Sequence, residues 1–240
     1  MTWMWIYYIS VILIVPTLIY GLITQNRTIK TFELFSKNTT KSNLAGAELA
    51  RLLLDKAGAT NVEVVQINGH LTDCYNSKHK VVKLSKATYS SVSIAALGVV
   101  AHEVGHAIQD HKNMTLFKIR EFLVPVVNFI SRAYVPLILI GSLLSFTFYI
   151  PTVGFAICWA SVALYGASLL FNFATLGIEK DASKKALDLM AETDYFSNEE
   201  LRHAKQVLQA AIGTYIATFT TSLVYFLRFL SVAMILNRDS

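Results

Sequence analysis

Three stretches of the chain are apolar for long distances without a charged residue. The first, 3–25, is dense in Ile, Leu, Tyr and Trp. At 1.5 Å per residue it is long enough to cross a hydrocarbon core of about 30 Å. No basic residue precedes it and no small-x-small cleavage site follows, so it is expected to stay as an anchor and not to be removed as a signal peptide. Trp3, Trp5, Tyr7 and Tyr8 are then expected at interface level. The second stretch, 133–178, would be roughly 70 Å long as one helix, so it must fold back. Pro151, between Tyr149 and Thr152, is the expected turn, giving arms of 133–149 and 152–174. The first arm could begin as early as Phe122, with Arg132 reaching to the headgroups. The third stretch, 207–227, continues past Arg228 to Leu236. Thr214, Thr218, Thr220, Thr221 and Ser222 make it more polar, which leaves open a fourth span or a helix buried in the polar part.

Between the apolar stretches the pattern changes. Ser42 or Asn43 can cap a helix bearing Leu44, Ala47, Leu49, Leu52 and Leu53, and Gly58 can end it. Residues 62–67 read as a short strand, 69–73 as a turn, and 80–84 as a second strand. After Ser85 the sequence turns helical with a strong apolar face. Five segments are expected: an anchor at 1–25, a polar part at 26–120, a hairpin at 121–175, a second polar part at 176–206 and a hydrophobic helix at 207–240. The fold class is a mainly α membrane protein with three or four transmembrane helices and a small β-hairpin or sheet.

Composition agrees with the spans. Hydrophobic residues make up 54% of the 240 and charged residues 15%, well below the roughly 25% charged of soluble domains. The aromatic content and low charge exclude a disordered chain. Two cysteines, Cys74 and Cys158, cannot form a disulfide scaffold. The net charge of +5 points to cationic loops facing anionic lipid and not to nucleic acid. Thirteen of the 21 basic residues lie between Arg27 and Arg120, and five more between the hairpin and the last apolar block. The expected topology therefore puts the amino terminus outside and both polar parts in the cytoplasm.

The chemistry is concentrated at His102-Glu103-Val104-Gly105-His106. On a helix, four residues make slightly more than one turn, so both imidazoles leave the same face. That spacing suits one tetrahedral zinc, and Glu103 beside them is placed to act as the general base toward a water activated there. A catalytic zinc needs a third protein ligand and an open fourth position. His70, His79, His111 and Glu179 are the candidates. His111 points off the face, whereas two membrane crossings return Glu179 to the side of the two histidines, which favours Glu179. Ser183, one turn beyond Glu179, could reach a ligand histidine, while Asp181 points elsewhere.

These residues carry a resemblance. His102-Glu103-x-x-His106-Ala-Ile-Gln109, Thr72-Asp73-x-Tyr75 with Lys80-Val-Val-Lys-Leu-Ser85, and Glu179-x-Asp181-Ala-Ser183 look like the YugP-like neutral zinc metallopeptidases of membranes. The resemblance covers nearly the whole chain. It implies a zincin-like (gluzincin) catalytic domain, one zinc held by His102, His106 and Glu179, and Glu103 as base. It also suggests kinship with HtpX-like and CAAX prenyl membrane proteases. Ser183 stands where those have Asp, and Gly177 where the YugP-like pattern often has Pro.

Other residues are weaker candidates. Asp73 and Tyr75 lie by a strand that a peptide substrate could pair with. His203 and Tyr215 could stabilise an oxyanion. Lys78, Lys80, Lys83 and Lys86 form a cluster suited to acidic lipids. Gly141, Gly154, Gly166 and neighbouring alanines allow close helix approach, within the hairpin or between copies of the chain. The expected function is a zinc endopeptidase integral to a bacterial-type plasma membrane, with its active site facing the cytoplasm. Its expected partners are the lipid bilayer and membrane-protein or peptide substrates, and no nucleic acid. The competing class is a zinc-stabilised membrane scaffold or chaperone-like protein that cleaves nothing. A transporter is disfavoured because the spans carry no acidic residue.

Overall fold

The computed structural model describes residues 2–147 and 150–238. It is mainly helical with one small sheet. In chain order the elements are α1 (Thr2–Ser36), α2 (Gly46–Lys56), β1 (Glu63–Ile67), β2 (Cys74–Asn76), β3 (Val81–Ser85), α3 (Lys86–Tyr89), α4 (Ile94–His111), α5 (Thr115–Phe146), α6 (Pro151–Ala191) and α7 (Asn198–Arg238). Among the described residues four helices are long and apolar enough to cross a membrane: Thr2–Ser36, Thr115–Ser145, Thr152–Ala191 and Asn198–Ile235. The last apolar block thus meets the length and composition of a span.

The long helices outrun the apolar stretches. α1 continues eleven residues past Gln25, and α5 starts at Thr115, before the expected first arm. α6 begins at the expected turn proline, a residue suited to the first helical position. Tyr149, expected beside that turn, lies outside the described residues. The helix expected after Ser85 is two helices. α3 ends at Tyr89, and the Ser93 hydroxyl caps α4 by accepting from the Ala96 N–H.

The chain forms two compact units. The polar unit comprises Thr24–Glu121 and Leu176–Thr214. Its sheet has the order β1-β3-β2, with β1 parallel and β2 antiparallel to β3. The expected strand at 80–84 is therefore the central one. The three-residue β2, unforeseen as a strand, forms the edge. α4 is the hub: Leu97, Val100, Ala101, Val104 and Ala107 are fully buried. They share one core with Leu49, Leu53 and Leu54 of α2, Val82 and Leu84 of β3, Ala186 and Met190 of α6, and Ala204 of α7. A helix apolar on nearly every side belongs in such a centre.

The apolar unit comprises residues through Ile23, Phe122–Thr175 and residues from Tyr215 on. Within it α5 and α6 meet through glycines. A methyl group on Gly141 would fall 2.7 Å from Cys158 Sγ and 2.8 Å from the Gly154 oxygen, so only Gly permits this approach. Tyr134 and Tyr165 stack edge-on at 4.4 Å, and Phe229 joins them. Pro16, Pro125 and Pro136 lie inside helices of this unit, as membrane helices tolerate.

Candidate metal centre

α4 projects His102 and His106 from one face, their ring centroids 4.7 Å apart. Glu179 reaches them from α6. Its Oε2 lies 3.1 Å from His102 Nε2 and 3.4 Å from His106 Nε2. One ligand atom from each of the three lies within 4.8 Å of the others. Among the described residues this is the group that could hold a metal ion. Glu179 is 1% exposed and His102 17%, so the centre is closed on the carboxylate side and open on the His102 side.

Each ring is held from behind. Gln109 is fully buried, and its Nε2 donates to the Ile178 carbonyl at 2.9 Å and to Asp181 Oδ2 at 2.7 Å. Its Oε1 must then be the acceptor, 2.9 Å from His106 Nδ1. The Nδ1 of His106 carries the proton, and its Nε2 faces Glu179. Ser183 Oγ lies 3.1 Å from His102 Nδ1, as the helical spacing predicts.

This geometry tests the fit to zinc. With the His106 proton on Nδ1, its Nε2 and Glu179 Oε2 meet lone pair to lone pair unless a proton or a metal cation lies between them. Two imidazole nitrogens and one carboxylate oxygen are the donor set of a catalytic zinc. Ionisation of Glu179 is opposed by burial, yet the hydrogen bonds and charge of His102 and His106 hold its carboxyl well below the usual range. The His106 imidazole is pushed down by burial, but Glu179, with Glu103 and Gln109, outweighs that and raises it.

Glu103 turns to the sheet edge, where its Oε2 accepts the Tyr75 N–H at 2.8 Å. The Tyr75 hydroxyl donates to Asp110 Oδ2 at 2.6 Å, and Lys80 Nζ to the same oxygen at 2.5 Å. Burial, then Asp110, raises the Tyr75 phenol, which keeps it a hydrogen-bond donor. Asp73, expected at a peptide-binding edge, faces inward instead. Its carboxylate accepts the Ser85 N–H at 2.7 Å and the hydroxyls of Ser85 and Thr88.

The remaining expectations fall elsewhere. His203 stacks on Phe35 at 4.5 Å. Tyr215 belongs to the apolar unit. His70 faces Phe32 edge-on, while His79 and His111 are exposed. Cys74 is exposed. Desolvation, then Glu103, raises its thiol.

Three participants had no role assigned from the sequence: Gln109 (quoted only as part of the motif), Gly105 and Arg120. Gln109 stands three residues after His106, the spacing at which helical neighbours touch. Gly105 is a helix-interior glycine, a costly choice without a packing reason. Arg120 Nη2 lies 3.1 Å from Glu179 Oε1, and the first turns of α5 carry no signal for it.

Comparison with known proteins agrees with zinc as the metal. Residues 10–234 match the family described as "Putative neutral zinc metallopeptidase". The chain is 35% identical over 201 residues to the "Putative membrane protease YugP" of Bacillus subtilis (strain 168), covering 84% of this chain and 86% of that relative. No solved structure matches the chain.

Proposed function

The chain belongs to the neutral zinc metallopeptidase family so described, and from that membership we infer that it is a membrane zinc endopeptidase with a gluzincin-like centre. The observation that carries the reading is the convergence of His102 Nε2, His106 Nε2 and Glu179 Oε2. These three atoms would hold one zinc. A zinc bound there lowers the pKa of a water and polarises a carbonyl. Gln109 and Ser183 keep the two rings aimed by binding their Nδ1 atoms. Glu103 is the base: its carboxylate takes the proton of the attacking water and delivers it to the leaving amine. The edge position of β2 supports an extended substrate pairing beside Tyr75.

The distribution of Lys and Arg supports a cytoplasmic centre in a bacterial-type plasma membrane. Substrates are then membrane proteins or peptides presented at that surface. A purely structural zinc favours a closed shell rich in cysteine, and neither cysteine belongs to this donor set.

The test is Glu103→Gln in purified, zinc-loaded protein, assayed with a fluorogenic peptide library. The variant keeps its zinc and loses cleavage. Cleavage equal to that of the unaltered protein would sink the base assignment.

A further inference from the structure

Arg120 touches the one oxygen of Glu179 that the histidines leave free. Glu179 Oε2 faces both imidazoles, while Oε1 lies 3.1 Å from Arg120 Nη2. An arginine left to itself grips both oxygens of a carboxylate with its planar fork. Here one contact is made, and Arg120 Nε is buried without a hydrogen-bond partner among the described residues. On the other side Arg120 Nη1 lies 3.6 Å from Glu121 Oε1. Glu121 is itself fixed, because its Oε2 accepts the Ser77 hydroxyl at 2.6 Å. The guanidinium is 22% exposed and braced between two carboxylates.

A carboxylate with both oxygens free can chelate a zinc ion and fill two coordination positions. With two histidines and the water the shell would then be five-coordinate, whereas a resting hydrolytic zinc with three protein ligands and a water is four-coordinate. We propose that Arg120 is a positioning residue that holds Glu179 Oε1 back, so that the carboxylate offers a single ligand atom and the shell, water included, stays four-coordinate. Arg120 acts through Glu179 and needs no contact with substrate. The proposal rests on the reading of Glu179 as a metal ligand.

The experiment is cobalt(II) substitution in the full-length detergent-purified chain, read by visible absorption. Four-coordinate cobalt absorbs visible light far more strongly than five-coordinate cobalt. The unaltered protein gives intense bands. Arg120→Gln still binds cobalt but loses band intensity, as Glu179 chelates with both oxygens, and Arg120→Lys recovers part of it. In the zinc form kcat of Arg120→Gln falls about 10- to 100-fold, with KM little changed. A cobalt spectrum of Arg120→Gln superimposable on the unaltered one overturns the proposal. X-ray absorption on the unaltered zinc protein tests it without any variant. Four ligands with one carboxylate oxygen support it, and five with both oxygens overturn it. Glu179→Ala run in parallel separates the two claims. Its loss of cobalt supports the ligand reading, and an unchanged spectrum overturns that reading itself.

Discussion

Gly105 of α4 and Ala182 of α6 are so close that a methyl group on Gly105 would lie 2.5 Å from the Ala182 carbonyl oxygen. The contact is with backbone, which cannot rotate away. Glycine at this position lets α6 approach the histidine face and so sets the reach of Glu179 and Ser183. Gly105→Ala forces α6 outward. Overpacking of this kind costs about 1–3 kcal/mol, more than the roughly 0.5–1 kcal/mol that Ala gains over Gly inside a helix. The expected result is a lower melting temperature and weaker zinc binding, read by thermal unfolding and chelator competition. Gly177→Ala is the control. Nothing lies within 4 Å of that position, so the helix-propensity gain stands alone and zinc binding is unchanged. Equal behaviour of the two variants would refute the steric argument.

Gln109 links three groups that otherwise have no reason to meet: His106, the Ile178 carbonyl and Asp181. Gln109→Ala leaves the His106 Nδ1 proton unpaired inside the protein. Such a group costs about 1–3 kcal/mol, and loss of a group that orients a ligand histidine lowers metal affinity about 10- to 100-fold. Chelator competition measures the second effect. Unchanged zinc affinity in a folded Gln109→Ala would remove Gln109 from the centre.

The histidine pair was legible because four residues on a helix fix a direction. Ser183 followed from Glu179 by the same rule. β2 was not legible, since three residues make a strand only through pairing with β3. The contacts of Asp73 were not legible, because they depend on where Ser85 and Thr88 fold back. Gly105 and Arg120 have meaning only once α6 and α5 arrive, which no local pattern records. The long helices were under-read for another reason. Hydropathy marks where a helix is apolar and not where its hydrogen bonding ends, so α1 and α5 extend into polar sequence.

Glu200 gives the fold a pH dependence away from the metal residues. Its carboxylate accepts the Ser197 N–H at 2.7 Å, the Ser197 hydroxyl at 2.8 Å and the Lys41 N–H at 2.9 Å. The Ser197 hydroxyl in turn accepts the Glu200 N–H, closing a capping box at the start of α7. Burial opposes ionisation, but these bonds and the Lys41 charge outweigh it and lower the carboxyl. The unfolded chain therefore binds the proton first. The stabilisation is complete above the unfolded value of about 4.3 and is lost as pH falls through the lower folded value. Glu200→Gln should melt lower at neutral pH and lose less on acidification. Parallel melting curves from pH 6 to about pH 3, spanning the ordinary carboxylate range, would contradict this.

Metal stoichiometry tests the central claim most directly. Purified full-length protein, reconstituted with zinc, dialysed and analysed for bound metal, should retain one zinc per chain, and Glu179→Ala should retain far less. An unaltered chain that keeps no zinc, or a Glu179→Ala variant that keeps a full equivalent, would contradict a centre built from His102, His106 and Glu179.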